Sequence, residues 1–330
     1  MLRSVLHYRL PRIGIFLIGL MAATAALGQG WPTKSVRLVV AFPPGGGTDI
    51  VARMVSQKLL ESTHQQFIVD NRSGASGNIG TDLVAKAAPD GFTVLVSTGG
   101  TLAINPNLYP KLPFSPTRDF APVTQLVGAS YLLLVHPSVP ANSIGTLIVL
   151  AKSKPGELTF ASTGGGQPPH IAGELFMLKA GVKMVHVPYK GGGPAVADTV
   201  AGQVSLTFGI LGTTLQYVKA GRLRALGITA AKRHTLVPEL RTVSEAGLTG
   251  YEVTEWFGML LPAGTPKEIV TRLNAEVVKI LTAPEMSERL VGQGFEVIAN
   301  TPDAFAIALR NDIAKWGNVV KQANLRLEFQ

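Results

Sequence analysis

The chain has 330 residues, a formal net charge of +9 and no cysteine, with 46% hydrophobic and 15% charged residues. This length accommodates two domains of ordinary size, and the absence of cysteine excludes disulfides, thiolate metal sites and a sulfur-linked lipid anchor. The basic excess is scattered, with no Lys/Arg run and little aromatic interleaving, so the charge argues against a nucleic-acid partner and leaves a modest field that attracts small anions.

Residues 1–30 read as a secretory signal peptide. Arg3, Arg9 and Arg12 form a positive start, Ile13 to Leu27 an apolar core, and Ala22, Ala23, Ala25, Ala26, Gly28 and Gly30 offer small-residue cleavage positions. Without those three arginines the net charge is about +6. The alternative, an uncleaved anchor, fits less well because the apolar run is short and ends in small residues. No later apolar stretch is long enough to span a bilayer, so the expected location is the periplasm.

The first element of the mature chain is an apolar strand, Val36 to Ala41, broken by Pro43 and Pro44. Gly45-Gly46-Gly47 then lets the backbone approach a ligand, and Thr48 or Asp49 caps a helix running to Leu60. The free N–H groups and positive dipole end of such a helix favour an anion. The next strand, Phe67 to Asp70, leads to the loop Asn71–Gly77 and a helix ending at Ala88. A third strand, Thr93 to Ser97, leads to Thr98-Gly99-Gly100-Thr101. Strand, loop and helix in alternation predict a parallel sheet with helices on its faces.

Phe120–Val127 and Tyr131–His136 read as two extended segments crossing to a second unit. There the same logic recurs. A helix covers Ile144–Ala151, and the strand Leu158 to Ser162 opens onto Thr163-Gly164-Gly165-Gly166-Gln167-Pro168-Pro169 and a helix from about His170. The strand Met184–Tyr189 leads to the loop Lys190–Pro194 and a helix over Ala195–Ala201. The strand Val204–Phe208 is followed by Gly209-Ile210-Leu211-Gly212 and a short helix from Leu215 to Ala220, and a strand occupies Leu223–Thr229. Tyr251–Leu261 reads as the return crossover. The tail is helical over Lys267–Leu281, Glu285–Gly292 and Pro302–Ala323, with a short strand at Phe295–Ile298. In such sheets ligands bind beyond the carboxyl ends of the strands, and two facing sets of loops make a cleft.

The glycine loops match no enzyme signature. Position 50 is Ile where a dinucleotide loop needs its third Gly, no Lys-Ser/Thr pair follows at P-loop spacing, and neither Ser73 nor Ser76 sits in a nucleophile elbow. His170 alone among the six histidines lies in a glycine loop, where a packing or capping role is its simpler reading. The expectation is that the protein uses no metal and no cofactor and is not an enzyme.

Several segments together resemble the Bug family, the periplasmic substrate-binding proteins of tripartite tricarboxylate transporters. They are Trp31–Lys34, Phe42–Asp49, Asn71–Gly80, Pro89–Gly91, Asn105–Tyr109, Asp119–Val123, Ala172–Phe176, Val185–Gly191, Lys219–Leu226 and Pro262–Pro266. The resemblance covers essentially the whole mature chain. It implies an α/β, two-domain periplasmic-binding-protein (Venus flytrap) fold, each domain a mostly parallel sheet flanked by helices. Residues 31–130 and 252–330 are expected to form domain I and residues 131–251 domain II. It further implies capture of a small carboxylate ligand and its delivery to membrane permease subunits, by a chain expected to be a monomer.

In that family the two glycine loops face each other across the cleft. Carried onto this chain, Phe42, Gly46, Gly47, Thr48 and Asp49 belong to one jaw and Ser162, Thr163, Gly164, Gln167 and His170 to the other. Thr98 and Thr101 are expected on the wall, and Tyr189 as a lining residue. Asp49 keeps a second reading as a helix cap, Phe42 and Tyr189 as core, and Thr98 and Thr101 as caps. One departure stands out: the family often has Asp where this chain has Gly209, which argues for a plain carboxylate over an amino acid. Two other functions stay in view: a sensor subunit presenting its liganded form to a receptor kinase, and an exported hydrolase with His170 or Asp49 as base.

Overall fold

The computed structural model describes residues 30–322. The expected signal peptide, apart from its last residue, lies outside the described residues, as does Ala323 at the expected end of the last helix.

The chain opens with β1 (Val36–Val40), α1 (Gly47–Thr63), β2 (Phe67–Asn71), α2 (Asn78–Ala85) and β3 (Thr93–Thr98). β1 pairs in parallel with β2 on one side and β3 on the other. Alternate residues of β1 serve opposite faces, as strand geometry requires. Val36, Leu38 and Val40 join Val51, Val55, Leu273 and Val277 in one core, while Val39, with Ala41 just past the strand, joins a second with Leu102 and Phe305. Burial on both faces is why this strand reads as a continuous apolar run.

After β3 the chain makes a π-type turn, Gly100–Ile104, and a one-turn helix α3 (Asn105–Leu108). Residues 120–135, expected as two segments, form one 16-residue strand, β4 (Phe120–Val135). Gly128, Ala129 and Ser130 do not break it because both its halves carry ladders. From Phe120 to Ser130 it pairs antiparallel with β9 (Thr254–Pro262), and from Tyr131 to Val135 with β7 (Leu206–Ile210). One strand thus runs through both halves of the molecule.

The second half adds α4 (Ile144–Ser153), β5 (Thr159–Ser162), α5 (Pro168–Ala180), β6 (Val185–Pro188), α6 (Gly192–Val200), α7 (Leu211–Lys219) and β8 (Arg224–Ile228). β5 lies parallel between β6 and β7. β7 takes in Gly209 and Ile210, which the sequence suggested as loop, and α7 begins at the next residue. The tail returns to the first half through α8 (Lys267–Thr282), α9 (Pro284–Gly292), β10 (Phe295–Val297) and α10 (Pro302–Gln322). Phe305, Leu309, Trp316 and Val320 of α10 enter the core on one helical face, and Trp256 of β9 anchors it by donating from Nε1 to Asp312 Oδ2 at 2.6 Å. The result is a mixed α/β fold of two-domain type, with strand order β2-β1-β3-β9-β4-β7-β5-β6.

Candidate functional site

The loop after β1 is shaped from behind by Asp49. This residue is not the cap of α1: the N-cap is Gly46, with no side-chain cap bond, and Asp49 sits in the first turn. Its Oδ2 accepts from the Gly45 amide at 3.0 Å and from Arg53 Nε at 2.9 Å, and its Oδ1 accepts from Asn71 Nδ2 at 3.0 Å. The same Asn71 amide donates to the Phe42 carbonyl at 2.9 Å, so both ends of the loop are tied to one buried carboxylate. Burial opposes ionisation of Asp49, but the bonds from Arg53, Gly45 and Asn71 outweigh it and hold its pKa below the usual carboxylate value. With the turn held this way, the first amides of α1, on Gly47 and Thr48, have no carbonyl one turn back to donate to. Both residues line the cleft.

The cleft is a cavity of about 490 Å³, within the range of small-molecule sites (about 300–1,000 Å³). Phe42, Gly46, Gly47, Thr48 and Thr98 line it from the first half, and Thr163 and Gln167 from the second. Seven of the expected residues therefore meet around one space. The other six do not line it. Asp49 braces the first loop from behind. Thr101 is fully buried and donates from Oγ1 to the Ser76 carbonyl at 2.9 Å. Tyr189 donates to Asp198 Oδ2 at 2.7 Å, tying β6 to α6, and burial, together with that bond, pushes its pKa up to about 12.

Ser162, Gly164 and His170 form the hidden frame of the second loop. The Gly164 amide donates to Ser162 Oγ at 3.2 Å, and that hydroxyl lies 2.6 Å from His186 Nε2. The Gly166 amide donates to His170 Nδ1 at 3.0 Å. That nitrogen must be unprotonated, so the ring proton lies on Nε2, 3.3 Å from Glu174 Oε1. The rings of His170 and His186 stack with centroids 4.0 Å apart, and Phe160 stacks on His186. Both histidines are structural parts of the loop's support and do not line the cavity.

Sequence reasoning missed several wall residues. Gly191 to Ala195, the start of α6, form a third glycine loop facing Pro43. Ile210, Phe257 and Tyr217 supply apolar surface, and Gln216 and Gln293 supply amides. Glu255 and Tyr131 also line the cavity. Oε1 of Glu255 accepts from the Trp256 amide at 3.0 Å and the Gly100 amide at 3.3 Å, and the Tyr131 phenol is pushed to a higher pKa by its burial and by this neighbouring carboxyl. Burial pushes the Glu255 pKa up to about 8, against the pull of those amides and with help from nearby Asp312. No motif flags Glu255, because its position on the return strand carries no loop or glycine signature.

The two halves also touch directly. Ser76 Oγ donates to the Gly165 carbonyl at 2.8 Å, and Gln167 Nε2 donates to the Ser76 carbonyl at 3.0 Å. Thr98 Oγ1 lies 3.4 Å from Gln167 Oε1.

The family profile described as "Tripartite tricarboxylate transporter family receptor" matches residues 51–325. The chain belongs to that receptor family. It is 34% identical to Protein BugT of Bordetella pertussis over 317 residues, covering 96% of this chain and 97% of the relative. Among solved structures, Rpa4515 of R. palustris with adipate has a TM-score of 0.88 and 38% identity, covering 90% of this chain and 99% of that one. MatC of Rhodopseudomonas palustris with bound malate has a TM-score of 0.84 and 33% identity, covering 88% of this chain and 100% of that one. The resemblance to Bug proteins seen in the sequence is thus borne out, and the receptor fold accounts for the two facing loops.

Proposed function

We propose that this receptor captures a small carboxylate between its two halves and releases it, unaltered, to a membrane permease. The observation that carries the reading is the placement of Gly47 and Thr48, at the amide end of α1, opposite Thr163 and Gln167 in one cavity. Hydrogen bonds from such donors to a carboxylate contribute about 1.5–3 kcal/mol each, so a few suffice for micromolar binding. The family relatives that hold adipate and malate support the ligand class. The partner exchange of β4 at Ser130–Tyr131 supports a division into domain I, residues 31–130 and 252–330, and domain II, residues 131–251. The basic, apolar leader supports export to the periplasm.

The hydrolase reading is disfavoured by His170 and Asp49, whose acceptor atoms are engaged with the loops they support. Thermal-shift and calorimetric screening of di- and tricarboxylates, nicotinate and aromatic acids tests the binding claim. A stabilised, micromolar complex is expected, and failure of every acid to stabilise clean, ligand-free protein would overturn it. Capture of permease subunits by the liganded protein, and not of a receptor kinase, tests the transport role.

A further inference from the structure

The cavity that faces the anion-seeking end of α1 holds a carboxyl of its own. Among the described residues that line it, Glu255 alone is acidic and none is Lys, Arg or His. Glu255 is 5% exposed and sits beside Thr98, Gln167 and Tyr131 in the same wall. On the other side of the carboxyl, a second, smaller cavity places Asp312 and Lys315 of α10 with Trp256. The remaining titratable groups facing the main cavity are the phenols Tyr131 and Tyr217.

An ionised Glu255 beside a bound carboxylate would set two negative charges in one desolvated space, with no cation lining that space to offset them. A protonated one reverses the interaction. The Trp256 and Gly100 amides can only donate, so a carboxylic proton finds no acceptor in them. In the cavity its acceptors are the wall oxygens of Tyr131, Thr98 and Gln167 or an oxygen of the ligand.

Building on the carboxylate-binding function above, we propose that Glu255 is a specificity-determining residue that donates a carboxylic hydrogen bond to an anionic oxygen of the ligand. The cavity then selects acids whose far end is an acceptor, such as a second carboxylate, and rejects those that present an ammonium group there. Binding is coupled to retention of one proton on the protein. The carboxyl itself titrates at about 8, because burial disfavours its charge, so the coupling falls within the range where the protein can be handled.

Adipate serves as the probe, since its carboxyls are ionised throughout pH 7 to 9.5 and add no pH dependence of their own. Isothermal titration of the wild type is expected to show affinity falling roughly thirtyfold from pH 7 to 9.5, the loss expected when only the protonated form binds. Glu255→Gln, which keeps the shape and a donor, is expected to bind with near-constant affinity over that range. A second measurement needs no variant. At pH 8.5, wild-type binding enthalpies in two buffers of different ionisation enthalpy should differ by net proton uptake. Wild-type affinity that is flat with pH and shows no proton uptake overturns the proposal while leaving carboxylate binding intact. So does loss of adipate binding in a folded Glu255→Gln protein, or a preference for ammonium-bearing acids that strengthens as pH rises. Failure of adipate and every other carboxylate to bind wild type at any pH would remove the underlying reading as well.

Discussion

Ser76 and Gly165 lie 89 positions apart, yet the Ser76 hydroxyl donates to the Gly165 carbonyl at 2.8 Å, joining a loop of the first half to the glycine loop after β5 in the second. Ser76 holds left-handed backbone angles (φ 55°, ψ 37°), which few non-glycine residues adopt. Its carbonyl is fixed by Thr101 Oγ1 at 2.9 Å, by Asn105 Nδ2 at 3.2 Å and by Gln167 Nε2. The strained residue is therefore aimed at the opposite jaw. Ser76→Ala removes this bond and the longer one that the hydroxyl accepts from Tyr109 at 3.4 Å, and leaves the carbonyl contacts in place. A hydrogen bond of about 1 kcal/mol corresponds to roughly fivefold in affinity. Stopped-flow measurement should place the loss in faster ligand release, with the melting temperature of the ligand-free protein nearly unchanged.

Asp49 illustrates a different dependence, that of a loop on the residue behind it. Removing its carboxylate in Asp49→Ala leaves the Gly45 amide and one Asn71 donor without the partner that sets the turn. The expected cost is about 1–3 kcal/mol of stability, and carboxylate affinity should fall at least tenfold because the Gly47 and Thr48 amides lose their alignment. Calorimetry and thermal melts on the same samples check both. The pH dependence follows in sign: the folded-state pKa lies below the ordinary carboxylate value, so Asp49 stabilises above that value and the contribution is lost as pH falls through the lowered one.

Much of this architecture could be read from the residues. Apolar runs bounded by Pro and Gly marked β1, β3 and β5, and the two main jaws were visible as Phe42–Asp49 and Ser162–His170 because glycine loops leave a compositional trace. What the sequence left hidden depends on three-dimensional partners. Asp49, Ser162 and His170 flank loops that touch the cleft, but whether a side chain points into the cavity or supports it from behind is decided by Asn71, His186 and Glu174, which are distant in sequence or one turn away. β4 looked like two segments because its small residues mimic a break, while its continuity comes from pairing with β9 and then β7. Glu255 had no local signal, since alternation on a doubly buried strand does not distinguish a wall carboxyl from core.

Gly212 governs how closely the two halves approach on the α7 side. A Cβ built there would lie 1.3 Å from the Gln293 carbonyl oxygen, a backbone atom between α9 and β10. Gln293 itself lines the cavity. Gly212→Ala must therefore push α7 away from this segment, disfavouring the arrangement in which both jaws meet the ligand. Ligand affinity should fall by tenfold or more, equivalent to about 1.4 kcal/mol, with secondary structure retained by circular dichroism. Scattering should register a more open protein in the presence of saturating ligand than the wild type shows.

His186 makes the second loop sensitive to acid. Burial, with the neighbouring His170 ring, drives its pKa from the ordinary 6.5 down to about 3. The folded state thus binds fewer protons than the unfolded state between those values, and stability rises with pH across that window. The contribution is fully present above pH 6.5 and is lost progressively toward pH 3. Its target is specific, because His186 Nε2 meets Ser162 Oγ at 2.6 Å and its ring lies between Phe160 and His170. His186→Gln should flatten the decline in melting temperature between pH 6.5 and 4 while costing some stability at pH 7.5, where the stacking is lost. An unchanged acid slope in that variant would mean that the decline originates elsewhere, with the carboxylates of Asp49 and Asp70 the next to test.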